Sequence, residues 1–163
     1  MSALHQKNGF TLIEMAITIA IIAVLAAMLL GAVMLSRKKA RQTQCMSNLR
    51  QIGMGLTMYL DDYRQYPVAT NMPSLELNDL EPIPTGLTPY VSDKVFRCPL
   101  DNKEYFENES SSYEWNTRLN GQPDSRKTDT PREALWDYEP FHGEEDKPKS
   151  RNILYSDGRA LGF

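Results

Sequence analysis

Imidazole is scarce in this chain of 163 residues: His5 and His142 are the two histidines, which excludes a metal site built mainly from that ligand. Proline is missing from residues 1–66, and all ten prolines lie at position 67 or beyond. Positive charge is deficient in that second stretch, where eleven Lys/Arg face eighteen Asp/Glu for a net charge of −7, against +4 for residues 1–66. A domain that coats nucleic acid draws its affinity from Lys/Arg neutralising phosphates, so this balance argues against one. The length leaves room for one ordinary domain and an appendage, which excludes a multidomain enzyme. Aromatic and aliphatic residues recur throughout, so disorder of the whole chain is excluded as well.

Charge of either sign is almost absent between Phe10 and Leu35, where Glu14 is the single ionisable residue in 26. As a helix this run extends about 39 Å, enough to cross a hydrocarbon core of about 30 Å. It is too long for the apolar region of an ordinary secretory signal, and no lipobox cysteine follows. Arg37, Lys38, Lys39 and Arg41 come next, as cations whose stems reach to headgroups. A count of positive flanks would place the C-terminal domain in the cytoplasm, because only Lys7 precedes the run. A carboxylate inside such a helix is costly and marks a functional site, unless it lies near enough to the interface to stay hydrated.

The helical pattern continues past the apolar run. Met46, Leu49, Ile52, Leu56, Tyr59, Leu60 and Tyr63 recur at spacings of three and four, while Arg41, Gln44, Asn48, Arg50, Gln51 and Asp61 take the other faces. This predicts one helix over about residues 10–64, ended by Pro67, with Gly53 and Gly55 tolerated where it packs closely on a sheet. Residues 67–163 read as a loop-rich domain with a helical turn near residues 75–80. Strands are expected at 95–97, 112–118 and 134–138, and a terminal hairpin with a type I′ turn at Asp157-Gly158. Ile153, Tyr155, Ala160 and Leu161 are expected to lie on the long helix. The fold class is α+β: a long N-terminal helix packed against a small antiparallel sheet.

The string KNGFTLIEMAITIAIIAVLAAMLL at residues 7–30 resembles the class III signal of type IV prepilins and type II secretion pseudopilins. That resemblance implies a pilin-like lollipop with four parts. Residues 1–9 would be a leader, 10–35 the membrane and filament-core helix, 36–66 its amphipathic continuation and 67–163 an extracytoplasmic domain. It implies cleavage between Gly9 and Phe10 by a membrane-embedded prepilin peptidase, methylation of the new amine, and a place for Glu14 as fifth residue of the mature chain. It also overrides the positive-flank count, placing the N-terminus in the cytoplasm and the domain outside the inner membrane. Many pilins have proline where this chain has Gly31. The stretches at residues 45–67, 95–101 and 152–158 are similar to prepilin-like proteins of planctomycetes and verrucomicrobia, which share a histidine followed by Asp-Gly. His142 and Asp157-Gly158 correspond here, although the spacer is long and acidic and Arg159 stands where a second histidine is usual. The helix exit at Tyr66-Pro67 is similar to that of the major pseudopilin of type II secretion.

The resemblance implies a structural subunit that joins a secretion pseudopilus or pilus-like filament, with other subunits, an inner-membrane assembly platform and the lipid bilayer as partners and no nucleic acid. Its major pseudopilins hold calcium in a C-terminal loop, which points to Asp137, Glu139, Glu144, Glu145 and Asp146, although their spacing matches no EF-hand. An acidic run of this kind is also simply a solvated one. An oxidising location and an even cysteine count suggest a Cys45–Cys98 disulfide, the alternative being two small buried residues. A membrane-anchored module that captures a polysaccharide or protein through Trp115, Trp136 and the tyrosines is the other function class. Catalysis by His142, Ser156 and Asp157 has little support, since no nucleophile elbow surrounds Ser156, and His142 is expected as an exposed loop residue.

Overall fold

The computed structural model describes residues 11–75, 79–126, 130–142 and 151–162. Helix α1 runs from Leu12 to Tyr63 without proline. The chain divides into two compact units, one up to Lys39 and one from Ala40 onward. In the first unit the described residues form only helix, and their side chains are exposed along its length. In the second, the rest of α1 shares one core with short helices α2 (Ile83–Leu87) and α3 (Tyr105–Glu109) and with four strands. The strands are β1 (Tyr113–Trp115), β2 (Glu133–Asp137), β3 (Asn152–Tyr155) and β4 (Ala160–Gly162), an antiparallel meander in sequence order. This is the α+β architecture expected.

Cys45, Leu49, Ile52, Leu56 and Leu60 form the buried stripe of α1 at helical spacing, against Phe96, Tyr113, Trp115, Leu135 and Leu154. Tyr63, expected on this stripe, is exposed and stacks on Tyr59. Asn48, expected on a solvent face, is buried, because its amide donates to the Arg97 carbonyl at 2.8 Å and accepts from Gln44 at 2.9 Å. Helix α1 stops at Tyr63, three residues before the restriction that Pro67 imposes on Tyr66. Arg64 takes a left-handed φ of 60° and donates to the Leu60 carbonyl at 3.0 Å. Beyond this turn Tyr66, fully buried, exchanges backbone hydrogen bonds with Gln122 and Gly121.

Several local expectations are corrected. Residues 93–96 form a 3-10 turn capped by the Ser92 hydroxyl instead of a strand, which drives Phe96 into the core. The strand at 112–118 shortens to β1, because Asn116 caps a second 3-10 turn at Thr117–Leu119. Helical structure near residues 75–80 is limited, among the described residues, to a 3-10 turn at Pro73–Leu75. The terminal hairpin forms, but its turn is not type I′. Within it Gly158 alone has positive φ, at 85°, Gly158 N–H donates to Tyr155 O, and Tyr155 N–H donates to Arg159 O. That is a three-residue loop with glycine in the left-handed position, which spares Asp157 a strained backbone. The phase of β3 is also opposite to expectation. Leu154 is fully buried beside buried Asn152 and Ser156, whereas Ile153 and Tyr155 are only half-buried and Leu161 is exposed.

Candidate functional site

Glu14 sits at the N-terminal end of α1, in a reciprocal arrangement with Thr11. The Thr11 backbone N–H and hydroxyl donate to Glu14 Oε2 at 2.8 and 2.7 Å, and the Glu14 N–H donates to Thr11 Oγ1 at 3.3 Å. Each residue thereby satisfies donors that a helix start leaves open, and the carboxylate lies at the positive end of the helix dipole. The signal for this pairing is the Thr-x-x-Glu spacing before an apolar run, and the sequence reading assigned Thr11 no role. Gly9 and Phe10, the expected processing pair, lie outside the described residues.

Behind this cap Ile13, Ile17, Ile21 and Val24 are exposed, and none of the most apolar stretch of α1 is buried among the described residues. Soluble monomers rarely leave a continuous apolar surface of this extent uncovered. A bilayer or a bundle of like helices is the kind of surrounding that would cover it.

In the second unit Cys45 of α1 and Cys98 are joined as a disulfide, with a sequence separation of 53. It ties the middle of α1 to the loop ahead of Pro99. His142, expected as exposed, is buried: Asp137 Oδ2 lies 3.1 Å and Asn152 Nδ2 2.6 Å from its Nε2. Ser156 has a different partner. Its hydroxyl accepts from Arg132 N–H at 3.0 Å, while Asp157 pairs with Arg159 at 2.6 Å. His142, Ser156 and Asp157 therefore have separate partners and are not assembled as a nucleophilic trio.

The acidic residues of the expected calcium loop that the structure describes are Asp137 and Glu139. Asp137 Oδ2 accepts from Asn152 N–H at 2.6 Å, and Glu139 accepts from Lys103 and Tyr105 at 2.6 and 2.8 Å. Glu144, Glu145 and Asp146 lie outside the described residues. Asp137 and Glu139 thus each have partners within the chain, while the second oxygen of Asp137, Oδ1, is buried without one. The aromatic residues offered for ligand capture are mostly structural. Trp115 is buried and donates to Asn120, Trp136 donates to Glu114 at 2.7 Å, and Tyr105 and Tyr138 stack at 4.7 Å.

Residues 4–30 match the family described as the prokaryotic N-terminal methylation motif. Residues 36–79 match a family described as a protein of unknown function (DUF1559). The chain is 32% identical over 102 residues to the type II secretion system core protein G of Escherichia coli (strain K12), covering 62% of this chain and 70% of that protein. The chain belongs to the type IV prepilin and pseudopilin superfamily. No solved structure matches it. The methylation motif spans both the unpaired apolar surface and the Thr11–Glu14 cap. Family membership points to a structural pilin-like subunit, not to an enzyme.

Proposed function

We propose that the chain is a prepilin that a prepilin peptidase cuts between Gly9 and Phe10, and that the mature subunit assembles into a secretion pseudopilus or a related pilus-like filament. The carrying observation is the combination of the methylation motif over residues 4–30 with an apolar helix that none of the described residues covers. The subunit is anchored by a single pass over residues 10–35 before assembly, with its N-terminus in the cytoplasm and the domain of residues 67–163 outside the inner membrane. On leaving the bilayer, the helix exchanges lipid contacts for those of neighbouring subunits on an inner-membrane assembly platform. Similarity to a type II secretion core protein favours the secretion filament over an adhesive one.

Co-expression with a prepilin peptidase tests the first step. Mass spectrometry should show a chain beginning at Phe10 and heavier than the bare sequence by one CH2, as a methyl replaces a hydrogen on the amine. Electron microscopy of sheared cells should then show filaments that react with an antibody to residues 67–163. A chain that keeps Met1 to Gly9 in the presence of active peptidase would overturn the processing, and processed subunits that never leave the membrane would overturn the assembly.

A further inference from the structure

Filament assembly makes no use of a buried cluster in the second unit. Cys45, Cys98 and His142 each bring one potential ligand atom within 4.8 Å of the others, and all three are buried. His142 is 8% exposed, and its Nδ1 is buried with no hydrogen-bond partner. Its other ring nitrogen, Nε2, faces Asp137 Oδ2 and the Asn152 amide. Asp137 is itself fixed by the Asn152 backbone N–H. With Nε2 held by Asp137 and Asn152, Nδ1 is the ring nitrogen left to take a ligand, and hydrogen bonding of the far nitrogen is how proteins orient a histidine that binds metal. Two sulfurs and one imidazole nitrogen are a donor set suited to Zn²⁺ in tetrahedral geometry, with the fourth position left to water.

We propose that the newly made chain, whose cysteines are thiols, carries a zinc-type site at Cys45, Cys98 and His142, and that formation of the disulfide erases it. On binding, each thiol releases one proton and the two thiolates balance the dication, so the buried complex is neutral. On oxidation, the same two thiols give two protons and two electrons to a disulfide-bearing oxidant, and the sulfur–sulfur bond replaces both metal bonds. A chain that holds metal therefore resists oxidation until the metal leaves. Asp137 acts as a positioning residue in this scheme, through the ring of His142.

The test uses the full chain in detergent micelles. A water-soluble phosphine opens the disulfide, taking one oxygen from water as phosphine oxide and leaving two thiols, and is removed without air. Co²⁺ is then titrated. The expected result is one equivalent bound, with a near-ultraviolet sulfur-to-cobalt band and the intense visible bands of tetrahedral cobalt, both displaced by Zn²⁺. The oxidised chain should give neither band, Cys45→Ser/Cys98→Ser should lose the sulfur band, and His142→Ala should weaken binding at least tenfold. Zn²⁺ should also raise the melting temperature of the reduced wild type, a measurement that does not depend on a variant folding. Absence of the cobalt bands in the reduced wild type, whether or not it keeps its fold, would overturn the proposal. So would an unchanged melting temperature, or undiminished binding by a folded His142→Ala chain, which would leave the metal on thiols alone.

Discussion

Gly55 on α1 lies so close to Val91 that a methyl group on its Cα would sit 2.9 Å from Val91 Cγ1 and 3.0 Å from Val91 Cβ. The first distance is shorter than carbon atoms tolerate and the second is tight, and valine has little rotamer freedom with which to retreat. Gly55→Ala gains about 1 kcal/mol of helix propensity and incurs about 1–3 kcal/mol of overpacking. A net loss is expected, read as a melting temperature lowered by several degrees. Gly53→Ala should cost less, because its nearest neighbour at 2.8 Å is Cδ1 at the far end of Leu154, although the Gly158 carbonyl at 3.2 Å also resists. A Gly55→Ala chain that melts at or above the wild type would show that the Val91 loop yields freely.

Much of the fold was legible because helical spacing is redundant. Leu49, Ile52, Leu56 and Leu60 announce one face several times over, so a single misplaced neighbour such as Tyr63 does not obscure it. A four-residue strand has no such redundancy. In β3 the buried face holds Asn152, Leu154 and, just past the strand, Ser156, two of them polar, so alternation of hydrophobicity points the wrong way. Asn152 is buried because Asp137 and His142 satisfy it, and those partners lie ten or more positions away in sequence. At the candidate site the Thr11–Glu14 spacing was present but overshadowed by the apolar run. The burial of His142 had no local signal at all, since it depends on contacts with β2 and β3.

Opening the Cys45–Cys98 disulfide should destabilise the second unit. The bridge closes a segment with a sequence separation of 53, for which the chain-entropy relation gives about 4 kcal/mol. Cys45→Ser/Cys98→Ser in a chain truncated to begin at Ser36 should therefore unfold at a clearly lower urea concentration, with a loss of about 2–4 kcal/mol once native-state strain is allowed for. Non-reducing mass spectrometry of the wild type should find no free thiol. An unchanged urea midpoint in the double variant would show that core contacts alone hold α1 to the Cys98 loop.

Asp137 makes stability depend on pH in a direction opposite to that of an ordinary paired carboxylate. Its burial raises the folded pKa, outweighing the lowering by His142, by the Asn152 N–H and by Arg151. The folded chain therefore binds more protons at this site than the unfolded chain, whose aspartate titrates near about 3.9. Stability from this group is present below that value and is lost as pH rises through the raised folded pKa. Asp137→Asn removes this titration while keeping an oxygen for the Asn152 N–H. Urea midpoints of the two proteins from pH 4 to pH 8 should diverge in favour of the variant as pH rises. A constant difference across that range would mean that Asp137 keeps its ordinary pKa in the folded chain.

The last expectation concerns Glu14, for which the structure and the proposed assembly supply different partners. Within one chain its carboxylate takes the Thr11 N–H and hydroxyl, so a subunit waiting in the bilayer does not hold an unsatisfied anion. In the proposed filament it meets the methylated Phe10 amine of a neighbour, which keeps its positive charge, and the pairing sets the axial register of one helix on the next. The two roles separate by substitution. Thr11→Val removes the hydroxyl cap, worth about 0.5–2 kcal/mol, but leaves the charge in place, so filament yield should stay near that of the wild type. Glu14→Leu removes the charge and leaves an uncompensated amine in the assembled core, a loss of about 3–5 kcal/mol that should reduce filament yield well beyond tenfold. Both variants should insert and be cut normally, whereas Gly9→Val should leave the precursor uncut in the membrane. Sheared-filament yields and the mass of the membrane-bound chain measure these outcomes. Equal losses in Thr11→Val and Glu14→Leu would locate the effect of Glu14 in its own helix end and remove the interchain pairing. Wild-type yields from Glu14→Leu would show that packing by Ile13, Ile17, Ala20, Ile21 and Val24 sets the register without any charge.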